Sequence, residues 1–213
     1  MIQDLDKTLE KLIVDRAKLN RNEIDLSFEQ PTGEWSARLN RPTLNCWCFD
    51  LRENVKLRTM DMTATHRDNH SRIALRPLRY DLMYLITAWA RRIEDEHQLL
   101  WRALGGLVQV PRLDPNECEG GLRDQMFDIP LVVGNITDRM PSMTDLWSVL
   151  DNQMRLGFTL VVTLALDSGR GFDAPLVLEK QVTVGQAQHP EERVITASDV
   201  VIRQQASRKS KNT

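Results

Sequence analysis

Twelve residues, LRYDLMYLITAW (78–89), limit the fold more than any other stretch of this chain. Large side chains occupy both alternating sets of positions, so the segment reads as a strand with two apolar faces. Such a strand lies in the middle of a sheet that is covered on each side. The rest of the chain must therefore supply flanking strands and a covering layer for both faces.

The neighbouring segments can do so. Ile2, Leu5, Leu9, Leu12 and Ile13 recur at helical spacing, which predicts an amphipathic helix over 2–19. Ile24, Leu26 and Phe28 alternate with Glu23, Asp25, Ser27 and Glu29, a half-buried strand closed by Pro31 and Gly33. TLNCWCFDL (43–51) reads as a further strand, and residues 52–76 as charged and irregular. A helix is expected at about 93–108, then a polar connection with Pro111, Pro115 and Gly120-Gly121, and a short strand at Ile129–Val133. Pro141-Ser142 opens another helix, with Ser142 as cap and Asp145 in capping-box position; Met143, Leu146, Trp147 and Leu150 share one face. FTLVVTLAL (158–166) and PLVLEKQVTV (175–184) read as two strands joined by a turn at SGRG (168–171). Beyond about residue 190 the chain turns polar, and RKSKNT reads as a disordered basic tail.

With 41% hydrophobic and 27% charged residues in 213, the composition is that of an ordinary globular chain able to bury a core. A formal net charge of −2 provides no field to hold nucleic acid. The three cysteines, Cys46, Cys48 and Cys118, are too few and too odd for a disulfide framework. The opening MIQDLDKTLEKLIVDR lacks the pattern of a signal peptide, and no apolar run is long enough for a membrane-spanning helix. The expectation is a cytoplasmic protein with no direct membrane insertion.

Four stretches invite a chemical reading, and each has a plainer one. In EDEH (94–97), Glu94 and His97 stand at the Glu-x-x-His spacing of carboxylate metal sites, and a metal-dependent enzyme built there is the alternative to a structural role. A single copy falls short of the ligands a metal needs. The stripe Ile93, His97, Leu100, Leu104, Leu107 instead predicts a packing helix with a partly buried histidine. Its acidic first turn suits the helix dipole, and Arg91 and Arg92 stand nearby to pair with it. HRDNH (66–70) places two histidines at i, i+4 but lacks the catalytic glutamate of zinc proteases, and Arg67 opposes a dication. It reads as a solvated loop. Cys46-x-Cys48 puts two thiols on one face of a strand, where small buried hydrophobes are expected. There is no nucleophile elbow, P-loop or dinucleotide fingerprint, so no catalytic residue, cofactor or metal is assigned.

Several ordered stretches, however, match a known family: MIQDLDKTLEKL, SFEQPTGEWSARLNRPTLN, FDLREN, YDLMYLITAWARRIEDEHQLLWRAL, LWSVLDN and TLVVTLALDSGR. Together they resemble the domain of the cap, or tail-terminator, protein of phage-tail-like contractile injection systems, from residue 1 to about 184. The resemblance implies an α/β fold, a mixed and mostly antiparallel sheet flanked by helices. It also implies a structural protein whose copies close a hexameric ring on the last layer of inner tube and sheath and end their polymerisation. An accessory or adaptor role in the same particle is the neighbouring reading. Trp35, Arg52, Glu53, Asn54, Tyr84, Trp89, Glu96, His97 and Trp147 fall in the matching stretches and are read as fold or subunit-contact positions. Loop 52–76 and the tail beyond 190 depart from the pattern.

The expected organisation is a terminator-like domain over 1–189 and an extension over 190–213. In the extension, Val194, Thr196, Val200 and Ile202 alternate. The segment 193–203 can thus add as a strand to an open sheet edge in a partner, or pair within its own domain. Arg52, Glu53 and Arg58 complete the expected interface.

Overall fold

The computed structural model describes residues 1–67, 70–134, 143–150, 154–175, 182–184 and 193–195. The chain divides into two compact units, residues 1–60 with 76–168, and residues 61–75 with 169–213. The expected boundary at residues 189/190 lies inside the second unit, outside the described residues.

The first unit is built around the strand with two apolar faces. Strand β5 (Leu78–Trp89) pairs antiparallel with β2 (Thr43–Glu53) on one side and β8 (Gly157–Leu166) on the other. With β1 (Asp25–Ser27), β6 (Arg112–Leu113) and β7 (Ile129–Val133) they form a six-stranded sheet in the order β1-β2-β5-β8-β7-β6. Only β1 and β2 run parallel; the other pairs are antiparallel. On one face, Leu82, Tyr84, Ile86 and Ala88 meet helices α1 (Ile2–Arg16) and α3 (Ile93–Val108). On the other, Leu85 and Trp89 pack with Trp35 of α2 (Gly33–Ala37), and with Trp147 of α4 (Met143–Val149) and Leu150. Each face is thus removed from water by its own layer, which is what holds this strand at the centre.

Helix α1 buries Leu5, Leu9, Leu12 and Ile13, at about 1.5–3 kcal/mol each. Thr8 is buried with them; its hydroxyl donates to the Asp4 carbonyl (2.7 Å) and accepts from the Glu119 amide (2.9 Å). The helix ends in a Schellman motif, with Lys18 N–H donating to Asp15 O and Leu19 N–H to Val14 O. Lys18 takes the left-handed conformation (φ 52°) where glycine is usual. The carbonyl of Ala17 is capped from α3 by Arg102 Nη2 at 2.9 Å. Gly106 of α3 meets the same place: a Cβ there would lie 2.9 Å from the Ala17 nitrogen.

Three expectations are corrected. The buried face of α3 is Glu96, Leu99, Leu100, Ala103, Gly106 and Leu107, whereas Ile93 and His97 are exposed. The helix is rotated from the expected phase because apolar residues occupy two adjacent sectors of it. Residues 52–76 are not irregular. Beyond one 3-10 turn at Val55–Leu57, β3 (Met62–Arg67) and β4 (His70–Leu75) pair antiparallel in the second unit. Nor does SGRG make a hairpin, since β9 (Gly171–Pro175) pairs with β4. The glycines still serve geometry: Gly169 has φ +64°, and a Cβ on Gly171 would meet the Ile73 carbonyl oxygen at 2.8 Å.

The second unit also contains β10 (Val182–Val184) paired antiparallel with β11 (Arg193–Ile195). Val194 is thus opposite Thr183. Thr196, Val200 and Ile202 lie outside the described residues, as do Ser142 and the side chain of Met143.

Candidate functional site

The start of α3 is a joint. Glu96, 9% exposed, accepts a hydrogen bond from the Ala90 amide (3.1 Å) and another from Arg155 Nη1. The Arg155 guanidinium carbon lies 4.2 Å from the centroid of Trp89. Trp89 meets Trp35 edge to face at 5.3 Å and Trp147 at 6.5 Å, and its indole N–H donates to Thr87 (2.9 Å). One carboxylate therefore ties the strand-to-helix turn to the tryptophan layer of the opposite face. This is a charge-assisted and cation–π assembly, in which Arg155 Nε is buried without a hydrogen-bond partner. Glu94 and His97 are both exposed, and Glu94 pairs with Arg92 at 3.5 Å.

The cysteines lie in protonating surroundings. Cys46 is fully buried, and burial, then the charge of Asp6, pushes its thiol up. The same causes, in the same order, push Cys48 up to about 11. Burial also raises Cys118. Tyr84 donates its hydroxyl to Asp6 at 2.7 Å; burial raises both groups, most of all the phenol. Thiolates, the nucleophilic and metal-binding form, are thus disfavoured. Among the described residues, no group of three or more His, Cys, Asp or Glu side chains is placed to hold a metal. Among them, no helix is long and apolar enough to cross a membrane.

What the first unit offers to the outside is apolar surface. At 3.6 residues per turn, Ile93, His97, Trp101, Leu104 and Val108 fall within an arc of roughly 80° on α3. Leu104 is half-buried; the other four are exposed, Trp101 at 74%. Further exposed apolar residues are Leu51, near the end of β2, and Val55 and Met60, which follow it. They are threaded by charge: Arg52 Nε lies 2.6 Å from Asp50, and Arg58 Nε donates to Glu53 at 2.6 Å. The hydrogen bond from Arg58 holds the Glu53 carboxyl below its ordinary range. Asn54 and Thr163 both donate to Asp81, fixing the end of β2 to β5 and β8.

Glu53 and Arg58 are therefore brought together, while Arg52, the preceding residue of β2, pairs with Asp50. Val194 belongs to the second unit. Sequence reading missed Trp101, although its i, i+4 spacing from His97 was a usable signal. It also missed Arg155, for which no local signal exists.

The first unit is an α/β domain with a mostly antiparallel sheet and helices on both of its faces. The chain belongs to the Pvc16 N-terminal domain family, whose profile matches residues 4–179. Its fold is similar to that of a sheath/tube terminator of an extracellular contractile injection system, PVC, in the extended state. That match has a TM-score of 0.62 at 19% identity over 96% of this chain and 70% of that one. It is also similar to the tube-terminating cap of the anti-feeding prophage, with a TM-score of 0.61 at 17% identity over 86% of this chain. The present chain spans 62% of the length of that cap protein. None of the curated proteins compared matches the sequence.

Proposed function

We propose that this protein terminates the tail of a contractile injection system, closing a hexameric ring on the last layer of inner tube and sheath and ending their polymerisation. The observation that carries the reading is the likeness of fold, over 96% of the chain, to a sheath/tube terminator. Family membership over residues 4–179 supports it. The protein acts through contacts rather than catalysis, and assembles in the cytoplasm before the particle leaves the cell.

The surfaces fit that work. A ring needs unlike patches on each copy, so that one copy's first patch meets the next copy's second. The outer stripe of α3 and the Leu51–Met60 group are two such patches on one unit. Arg52, Glu53 and Arg58 border the second and set its register against a neighbour. The segment holding Val194, Thr196, Val200 and Ile202, of which Arg193–Ile195 pairs with β10 on one side, offers its other edge to the sheath. Electron microscopy of particles made with and without the gene tests the reading. Overlong or ragged tails lacking an end ring are expected without it. Tails of normal length with the ring intact would refute it.

A further inference from the structure

We infer that the cleft at the turn between β5 and α3 binds a carboxylate-bearing peptide segment of another protein. The cleft has a volume of about 610 Å³. Leu39, Pro42 and Trp89 give it apolar walls, and Arg41, Arg91, Arg92 and Arg155 line it against a single carboxylate, Asp95.

The four arginines are not equivalent. Arg155 is a fixed cation, stacked on Trp89 and bonded to buried Glu96; its Nε is buried and has no hydrogen-bond partner. Arg91 makes no ion pair among the described residues, and the 3.5 Å contact of Arg92 with Glu94 is exposed and exchangeable. Arg41 is already engaged with Asp25 at 3.2 Å. A guanidinium presents paired N–H groups that match a carboxylate in two-point contact. The fixed Arg155 and the two adjustable arginines thus suit one or two carboxylates whose neighbouring side chains rest on Leu39 and Pro42.

A nucleic-acid backbone is the poorer ligand, because its binding draws on many phosphate contacts over a broadly basic surface, and a chain of net charge −2 does not offer one. The inference rests on this geometry alone and does not depend on the terminator reading.

The test uses the full chain and a fluorescein-labelled twelve-residue peptide alternating Glu and Leu, followed by anisotropy. A matched Gln/Leu peptide, inorganic phosphate and single-stranded oligothymidine serve as competitors. Saturable binding of the Glu peptide is expected, at least tenfold weaker in the double variant R91Q/R92Q. Both positions are exposed and outside the regular elements, so the variant keeps its fold, which its melting curve checks. In the NMR spectrum of the indole N–H groups, the Trp89 signal shifts on binding while that of exposed Trp101 stays. Four results would each overturn the proposal: no saturable binding, equal binding of the Gln peptide or of the variant, an unmoved Trp89 signal, or better competition by phosphate or oligothymidine than by unlabelled Glu peptide.

Discussion

Two adjacent glycines in α3 are expected to respond in opposite ways to the same substitution. Gly105 has open space around it: a Cβ built there finds no atom within 4 Å. Alanine at a helical position of this kind gains about 0.5–1 kcal/mol over glycine by restricting the unfolded chain. Gly106 faces α1, and its Cβ would stand 2.9 Å from both the Ala17 nitrogen and the Arg16 carbonyl carbon. These are backbone atoms at a helix end already fixed by the Arg102 cap, so they cannot swing aside. Forcing a methyl into such a contact costs about 1–3 kcal/mol, which outweighs the propensity gain. Gly105→Ala should therefore melt above the parent and Gly106→Ala below it, separated by about 2 kcal/mol. For a chain of this length that is about 4–8 °C. Circular dichroism melts of the three proteins side by side give the answer. A Gly106→Ala protein as stable as the parent would show that α1 and α3 do not approach as described. A destabilised Gly105→Ala protein would show that position 105 is not open helix surface.

Asp6→Asn should raise stability at pH 7. The folded Asp6 carboxyl sits above its ordinary 3.8, so its contribution is complete below that value and is lost as pH rises through the folded pKa. Asparagine keeps a neutral acceptor for Tyr84, so the gain over the parent should vanish in acid; a less stable variant at pH 7 in urea titrations would contradict this. The raised thiols predict slow reaction with Ellman's reagent at neutral pH, and all three cysteines reacting once guanidinium unfolds the chain. A native thiol that reacts within seconds would refute that picture. Trp101→Glu should change monomer stability by no more than about 0.5 kcal/mol, because the side chain is 74% exposed, yet abolish ring formation in sedimentation and microscopy. Rings that survive it would remove the α3 stripe from the contact.

Local periodicity was enough to read α1, whose stripe reports one covered face, and the central strand, whose large residues report two; it did not find α2, which brings Trp35 to Trp89 and Trp147. It misled at α3. That helix carries a buried sector around Leu99, Ala103 and Leu107 and an exposed apolar sector around Ile93, Trp101 and Val108. One stripe drawn through both, Ile93 to Leu107, mixes members of each, since spacing alone does not say which side meets the core. The burial of Glu96 was illegible for a different reason. It is settled by Arg155, 59 residues away, and by the Trp89 ring beneath it. The β3–β4 pair was hidden because its short strands, MTATHR and HSRIAL, lack a clear alternation of apolar residues, and its third strand, β9, comes about a hundred residues later.

The exposed apolar sector of α3 bears on how a ring would close. Apolar side chains scattered over a surface need no explanation, but under the proposed reading the stripe of α3 that carries exposed Trp101 between Ile93 and Val108 is a contact surface. A copy that offered this stripe alone could bury it only against another α3, giving a two-fold pair that stops at two. With a second, unlike patch at Leu51–Met60, the contact becomes head-to-tail, and such contacts either close into a ring or run on as a filament. Which of these occurs is decided by the angle between the two patches, and both sit on one unit whose sheet is held by hydrogen bonds from β1 to β6. The Asn54–Asp81–Thr163 bonds fix the end of β2, and the Glu96–Arg155–Trp89 joint fixes the start of α3. Under the proposed reading, these two polar ties set the closing angle, and their role is the size of the ring rather than the stability of the subunit alone.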